Sequence, residues 1–318
     1  MMFRVPKYHQ SIQDTPVRQT EWAEGSGLLF ITAIFLGGVG SGTYVLGVVF
    51  DVLPALIVGW ILIVVGKGGF HLLYLGRPWR AWRALANVRH SWLSRGIWGL
   101  GVFAVAGAAH IAQQIQGSPT TVRGGALGWL SLLSAVFVMI YEGFLLRRAV
   151  GIPVWNTWLI PFVFPTFSLL AGSASILLIQ LVEIRLAGAA GGEGSAAHGT
   201  IASVEAVTQF LLVTGAVVMS AYLWHGMRRS EAERASVQLL VRGPYRVWFW
   251  VGIVLFVILG PALVGIAGRF VHVPLGILGA AATLAVVGEF AVKYTIIASG
   301  TYPKMFPAQR LHRLPGNG

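Results

Sequence analysis

Ionisable residues inside long apolar stretches are the first candidates for chemistry in this sequence. Lys67 and His71 lie four residues apart, as do Glu289 and Lys293, so on helices each pair would share one face. An ionised side chain in apolar surroundings is costly unless a partner neutralises it, which makes each of these residues a functional candidate. For Glu289 and Lys293 two interpretations stay open, a self-neutralised pair and a proton relay. Lys67 is a further candidate for proton transfer.

Tyr141 and Glu142 lie near the end of another apolar stretch, at the level where His71 ends its own. A phenol, a carboxylate and an imidazole at one depth could hydrogen-bond a carbonyl and exchange its proton, which is what a quinone headgroup requires on reduction. A tyrosine at a membrane surface is also common on its own. The pattern alone therefore leaves both a ligand site and an anchoring role open.

The stretches that carry these residues are long enough to cross a membrane. Of the 318 residues, 56% are hydrophobic and 11% are charged, and the mean hydropathy is +0.73. Because a spanning helix needs about 20 largely apolar residues, the sequence predicts an all-α membrane protein with eight transmembrane helices. The predicted spans are 27–50, 54–75, 96–116, 125–146, 158–183, 201–225, 247–267 and 274–298. The preceding residues 1–26 lack the apolar core of a cleavable signal, and we interpret them as an N-terminal extension.

Lysine and arginine are distributed unevenly between the two predicted membrane faces. The face with both termini carries 18 of the 23, whereas the opposite face carries Arg123, Arg185 and Arg269. The positive-inside rule therefore predicts that the termini and the loop 76–95 are cytoplasmic. A face that binds a large partner can also accumulate arginine, so membrane side and docking surface are confounded. The net charge of +12 resides in these short segments, which argues against nucleic-acid binding.

Cofactors held by this chain alone are restricted by its composition. The sequence contains no cysteine, which excludes disulfides, cysteine-ligated zinc and an Fe–S cluster bound only by this chain. A bis-histidine haem would need two facing histidines, and only His71 and His225 end spans on the same face. Both adjoin basic loops, where an interfacial role is the simpler interpretation. We therefore predict no metal and no haem in this chain.

Small residues are concentrated in the first span, which contains five glycines between positions 37 and 47. Such residues allow another helix, or a flat ligand, to approach the backbone closely. Helix packing and a ligand groove both remain open. A second unusual stretch, residues 71–95, combines five arginines with three tryptophans. It suits a membrane surface, where indole lies at headgroup level and guanidinium reaches lipid phosphate or a docked protein.

Five segments spread over almost the whole chain carry a family resemblance. They are FLGGVGSGTYVLG (35–47), HLLYLGRPWRAWRALANVRHSWLSRG (71–96), YEGFLL (141–146), IPVWNTWLIP (152–161) and GEFAVKY (288–294). In these segments the chain resembles the NrfD/PsrC-like membrane quinone subunits of polysulfide-reductase and nitrite-reductase type. The Leu75-Gly76-Arg77-Pro78 turn with its Trp/Arg loop is the most specific piece of the resemblance.

The resemblance implies a helical membrane anchor that pairs with a four-cluster ferredoxin-like Fe–S subunit, and usually with a molybdopterin catalytic subunit. It implies two packed four-helix bundles, 27–146 and 147–298, followed by a tail, 299–318. It also implies a quinone, menaquinone or ubiquinone, in the first bundle near the docking face. Tyr141 matches the quinone-contacting tyrosine of the family.

Two positions depart from the family pattern. Related proteins often have an acidic residue where this chain has Tyr74, and some have a histidine where it has Glu21 and Trp22. The partner of Tyr141 at the quinone therefore stays open. The quinone-binding candidates are Tyr141, His71, Glu21, Trp22, Glu142 and Arg77.

These observations together predict exchange of two electrons and two protons between a quinone pool and a docked Fe–S subunit, in the plasma membrane of a bacterium or archaeon. We expect the 76–95 loop to lie between quinone and partner, with lipid contact as a secondary role. The predicted docking residues are Arg77, Arg80, Trp82, Arg83, Arg89 and Trp92. Two other classes remain open, a secondary transporter that uses the charged pairs within the spans and a structural anchor without a quinone site.

Overall fold

The computed structural model describes residues 16–117, 125–189 and 195–304. Within these residues, eight helices are long and apolar enough to cross a membrane, which confirms the all-α membrane fold. They are α1 (Gly27–Phe50), α2 (Leu53–Tyr74), α3 (Trp92–Ile115), α4 (Ala126–Arg147), α5 (Ile160–Ala189), α6 (Ser195–Arg228), α8 (Trp248–Ala267) and α9 (Leu275–Ala298). A shorter helix, α7 (Glu231–Val241), connects α6 to α8. Residues 1–15, 305–318 and part of the 187–200 segment, on which some sequence predictions fall, lie outside the described residues.

The chain segments that flank the eight helices meet on one side of the protein. Strand β1 (Val17–Arg18) pairs in antiparallel fashion with β2 (Thr301–Tyr302), and the Gln19 side-chain amide donates to the carbonyl oxygen of Ile297. We call this membrane face the sheet side. A chain that crosses the membrane an even number of times has both of its ends on one face, as observed here. Which cellular compartment the sheet side faces stays a prediction.

Helix α1 is the most buried of the eight and packs against α2, α4 and α5. Its backbone touches that of α5, since a Cβ atom on Gly42 would lie 1.9 Å from the carbonyl oxygen of Ser168. Likewise, a Cβ atom on Gly172 would lie 2.2 Å from the carbonyl carbon of Gly42. Helix packing, rather than a ligand groove, therefore accounts for Gly42. Helix α3 packs on α4, α6 on α5, and α9 on both α5 and α8, and the division into two bundles stays a prediction.

Two of the spans contain π-helical turns, Leu62–Lys67 in α2 and Trp248–Leu259 in α8. A π-turn inserts an extra residue into the helix and rotates the side chains that follow it. In α2 the π-helical segment ends at Lys67, which is buried, whereas Val65 within it is exposed to the lipid face. The local backbone thus places one charged side chain inward in an otherwise apolar helix.

The polar segment between the sixth and seventh spans folds as α7, which hydropathy alone does not predict. Ser230 and Glu233 form a capping box, in which the Ser230 hydroxyl accepts from the Glu233 amide and the Glu233 carboxylate accepts from the Ser230 amide. Helix α3 also begins earlier than predicted, at Trp92, because the Ser91 hydroxyl accepts from the Ser94 amide at its first turn.

Gly42→Ala is expected to lower the free energy of unfolding by about 1–3 kcal/mol, because the added methyl group forces α1 and α5 apart. Gly101→Ala is the matched control, since its Cβ would meet nothing within 4 Å and alanine favours a helix. Denaturant titration in detergent micelles measures both variants. Equal stability of the two would show that the close approach of α1 and α5 contributes little.

Candidate functional site

A buried ion pair joins α2 and α4. The Lys67 ammonium pairs with Oε1 of Glu142, and both side chains are 1% exposed. The same ammonium lies 5.0 Å from the centroid of the Tyr141 ring. Glu142 Oε2 is buried and has no hydrogen-bond partner among the described residues. The pair is therefore neutral overall but retains one carboxylate oxygen that can accept a proton or a donor.

A second buried ion pair lies within α9. Lys293 Nζ is 3.1 Å from Glu289 Oε1, and both side chains are 0% exposed. Ser168 of α5 connects them, since its Oγ lies 3.4 Å from Glu289 Oε1 and 3.3 Å from Lys293 Nζ. Lys293 also lies 3.9 Å from the centroid of the Phe164 ring. The two side chains therefore form an ion pair, and the relay role stays a prediction.

Two adjacent glycines of α1 separate the two pairs. A Cβ atom on Gly37 would lie 2.8 Å from both Lys67 Nζ and Glu142 Oε1, and one on Gly38 would lie 3.1 Å from Glu289 Oε1. We call these four charged residues together with Ser168 the charge cluster. Sequence reasoning missed the cross-helix pair, although two positive and two negative residues within spans were a signal that such pairing is possible.

His71 lies one helical turn from Lys67 toward the sheet side. Its Nδ1 is 3.0 Å from the Lys67 carbonyl oxygen, and because a carbonyl only accepts, Nδ1 donates this bond. The other nitrogen, Nε2, is then an acceptor in the neutral ring. The half-buried imidazole packs edge-on against Phe30, with centroids 5.9 Å apart. Orientation by the backbone leaves Nε2 as the nitrogen available to a ligand.

The two N-terminal candidates lie on the sheet side but in different environments. Trp22 packs edge-on against Phe30, with centroids 5.3 Å apart, and against Trp155 at 5.7 Å. Glu21 lies beside Tyr302 of β2, where burial and the nearby carboxylate together raise the pKa of the tyrosine. Phe30 therefore connects Trp22 to His71 by ring contacts, whereas Glu21 is directed to the terminal sheet.

The predicted docking residues also divide into two groups. Residues Pro78–Asn87 form a 3₁₀ helix that exposes Trp79 (83%) and Trp82 (64%). Trp92 is instead half-buried and stacks on Phe144 of α4, with centroids 4.8 Å apart. The predicted docking arginines are exposed. They are Arg77, Arg80, Arg83 and Arg89.

A further polar group in the first four spans was not predicted. Nδ1 of His110 lies 3.1 Å from both the Tyr44 hydroxyl and the Ser131 hydroxyl, and all three side chains are buried. Sequence reasoning considered histidines as haem ligands, and the three residues lie too far apart in the chain for any spacing rule to connect them. The group lies in the half of the protein opposite the sheet side.

Comparison with known proteins gives one family match over nearly the whole chain. The sequence matches the family described as polysulphide reductase, NrfD, over residues 26–303. The chain belongs to the NrfD family. The match includes every span described above and confirms the predicted resemblance. A comparison with curated proteins gives no match.

Membership of the NrfD family associates this chain with reductase complexes as a membrane subunit. Within this NrfD chain, the structure brings together Tyr141, Glu142, Lys67 and, one turn away, His71. It places Glu21 elsewhere, against β2. Among the described residues no cluster of three or more His, Cys, Asp or Glu side chains could hold a metal ion. The quinone, the electron-transfer partner and the roles of individual residues are proposals.

Proposed function

We propose that this chain is the quinone-reactive membrane subunit of an oxidoreductase complex, which exchanges electrons with a docked four-cluster Fe–S subunit. Chemistry on the substrate would take place on a further subunit of molybdopterin type. The observation that carries the proposal is the buried Tyr141–Lys67–Glu142 arrangement, with His71 one turn nearer the sheet side. Family membership supports it, because the matched family is a reductase family.

The residues present suit a quinone headgroup. A quinone has two carbonyl oxygens that accept hydrogen bonds and become protonated on reduction. The Tyr141 hydroxyl and the Lys67 ammonium are donors, and Glu142 Oε2 and His71 Nε2 are acceptors. Hydrogen-bond donors and acceptors are both needed at a site where protons are taken up and released.

A bound quinone supplies the two-electron, two-proton chemistry, and the protein holds and moves the protons. Tyr141 and His71 would each hold one headgroup oxygen. Lys67 fixes the Glu142 carboxylate through Oε1 and leaves Oε2 as the atom that takes a proton. A proton that enters at Glu142 leaves the Lys67 ammonium without its counter-charge, which favours passing the proton on over holding it.

The exposed arginines and tryptophans near the 3₁₀ helix Pro78–Asn87 suit a docked protein on the sheet side. Tryptophan and arginine are enriched in the residues that dominate protein interfaces. The partner would need an acidic surface there. Trp92, which packs on Phe144, would support the loop from below rather than contact the partner.

Tyr141→Phe is expected to lower quinol oxidation by the copurified complex at least tenfold, because it removes the phenolic donor while keeping the ring that packs on Gly96 and Phe137. Quinol-dependent reduction of the Fe–S partner, followed spectroscopically, measures the effect. Tyr294→Phe is the matched control, since that ring lies on α9 and stacks on Phe290. The site assignment fails if the Tyr141 variant matches the control. A complex that contains no quinone and ignores quinone-site inhibitors would favour the structural anchor.

A further inference from the structure

A small cavity lies between α5, α6, α8 and α9, in the half of the protein opposite the sheet side. Its volume is about 40 Å³, which is enough for a water molecule. Its walls are largely apolar, but Glu205, Thr208 and Gln209 of α6 line one side. Among the described lining residues, Glu205 has the one titratable side chain. The site therefore combines room for water with a carboxylate.

Close packing of α6 against α8 shapes the polar side of this cavity. A Cβ atom on Gly265 would lie 1.8 Å from Nε2 of Gln209, so the amide fits only because residue 265 has no side chain. Pro261, one turn earlier in α8, also lines the cavity and lacks a backbone N–H. The polar side chains of α6 thus face a part of α8 that leaves room for them.

The cavity approaches the charge cluster from the side opposite the sheet. On α9 its lining extends to Ala285, four residues before Glu289, which is about 6 Å along a helix axis. On α5 it extends to Leu170, two residues beyond Ser168, or about 3 Å. Glu289 Oε2 is fully buried and has no hydrogen-bond partner among the described residues. On α9 the cavity therefore ends about one helical turn from Glu289.

Glu205 lies at the end of the cavity that is farther from the charge cluster. It is half-buried, and it precedes Arg228, the last residue of α6 on the sheet side, by about 35 Å of helix. That distance places it close to the opposite membrane surface. We propose that the cavity is a hydrated proton inlet through which Glu205 connects the side opposite the sheet with Glu289 of the charge cluster.

The inlet gives the charge cluster a second proton exchange route, and its physiological role depends on the proposed quinone chemistry. Glu205 takes a proton from water at the surface and passes it to the cavity water, which passes a proton on to Glu289. Glu205 then takes a new proton from the surface. Protons bound during quinone reduction would then come from the side opposite the docked partner. The reaction would therefore move charge across the membrane.

Glu205→Gln should lower at least twofold the number of protons taken up per electron from the side opposite the sheet, in proteoliposomes that contain the complete complex and a quinone. Proton uptake from the side opposite the sheet and electron transfer are measured in parallel. Glu183→Gln is the control, because Glu183 lies near the same membrane surface but bonds to Gln180 and does not line the cavity. An unchanged proton-to-electron ratio in the Glu205 variant overturns the proposal.

Water access can be tested without any quinone activity, because the chain contains no cysteine. In sealed vesicles of each orientation, Glu205→Cys should react with silver ions from the side opposite the sheet at least tenfold faster than from the sheet side. Phe210→Cys, whose native side chain is 70% exposed on the lipid face, should react slowly from both sides. Equal rates for the two variants overturn the inlet. If access is observed but the complex oxidises no quinol, the proposed function fails while the inlet stands.

Discussion

Glu142→Gln is expected to lower the free energy of unfolding by about 3–5 kcal/mol, because it leaves the Lys67 ammonium buried without its counter-charge. Lys67→Met should cost a similar amount by leaving the carboxylate alone. The double variant Lys67→Met/Glu142→Leu should recover most of the loss, since replacing both charges of a buried pair by apolar groups is often neutral. Quinol oxidation should nevertheless fall at least tenfold in all three, because each lacks a group proposed to hold the proton.

The comparison separates the structural from the chemical role of the pair. Denaturant titration in detergent gives the stability of each variant, and quinol-dependent reduction of the partner gives the activity. Glu24→Gln is a suitable control, since the Arg18–Glu24 pair is largely exposed and should contribute about 1 kcal/mol or less. A double variant that recovered activity together with stability would show that the pair only stabilises the fold.

The spans were predictable because membrane insertion depends on hydrophobicity, which can be read from a short window of sequence. About 20 apolar residues in succession identify a spanning helix whatever its neighbours are. The pair Glu289–Lys293 was also predictable, because both residues lie on one turn of one helix. In both cases the information is local in the chain.

The cross-helix pair could not be predicted in the same way. Lys67 and Glu142 are 75 residues apart, and their contact depends on the π-turn of α2 and on the absence of a side chain at Gly37. No spacing rule includes either condition. Sequence reasoning assigned Glu142 to the quinone site and Lys67 to proton transfer separately, whereas the structure joins them. The glycines of α1, for which the sequence left helix packing and a ligand groove open, have two uses in the structure, helix contact at Gly42 and space for charge at Gly37.

Glu205 illustrates a different limit. A single carboxylate near the end of a predicted span gives no pattern in the sequence, and it becomes interesting only because a cavity lies beside it. The same holds for α7, which is too short and too polar for a hydropathy criterion and depends instead on its capping box. Features that depend on packing between distant segments are therefore the ones that required the structure.

Glu289→Gln is expected to lower the number of protons exchanged per electron with the side opposite the sheet more strongly than it lowers quinol oxidation measured with an uncoupler. Glu289 lies across α1 from Tyr141 and Lys67, where the quinone is proposed to bind. It contacts Ser168 and Lys293 instead. The variant should also lose about 3–5 kcal/mol of stability, because Lys293 is left without its carboxylate. Proteoliposomes with and without the uncoupler measure the two activities in one preparation.

The double variant Glu289→Leu/Lys293→Met provides the control for folding, because it removes both charges and should recover most of the stability. If this variant keeps a low proton-to-electron ratio, loss of the relay rather than loss of structure is the cause. The relay is contradicted if quinol oxidation by Glu289→Gln, measured with the uncoupler, falls as far as that of Glu142→Gln. Since Gly37 and Gly38 place the two pairs on neighbouring faces of one helix, that result would mean that the four charges act as a single unit and that no separate relay exists.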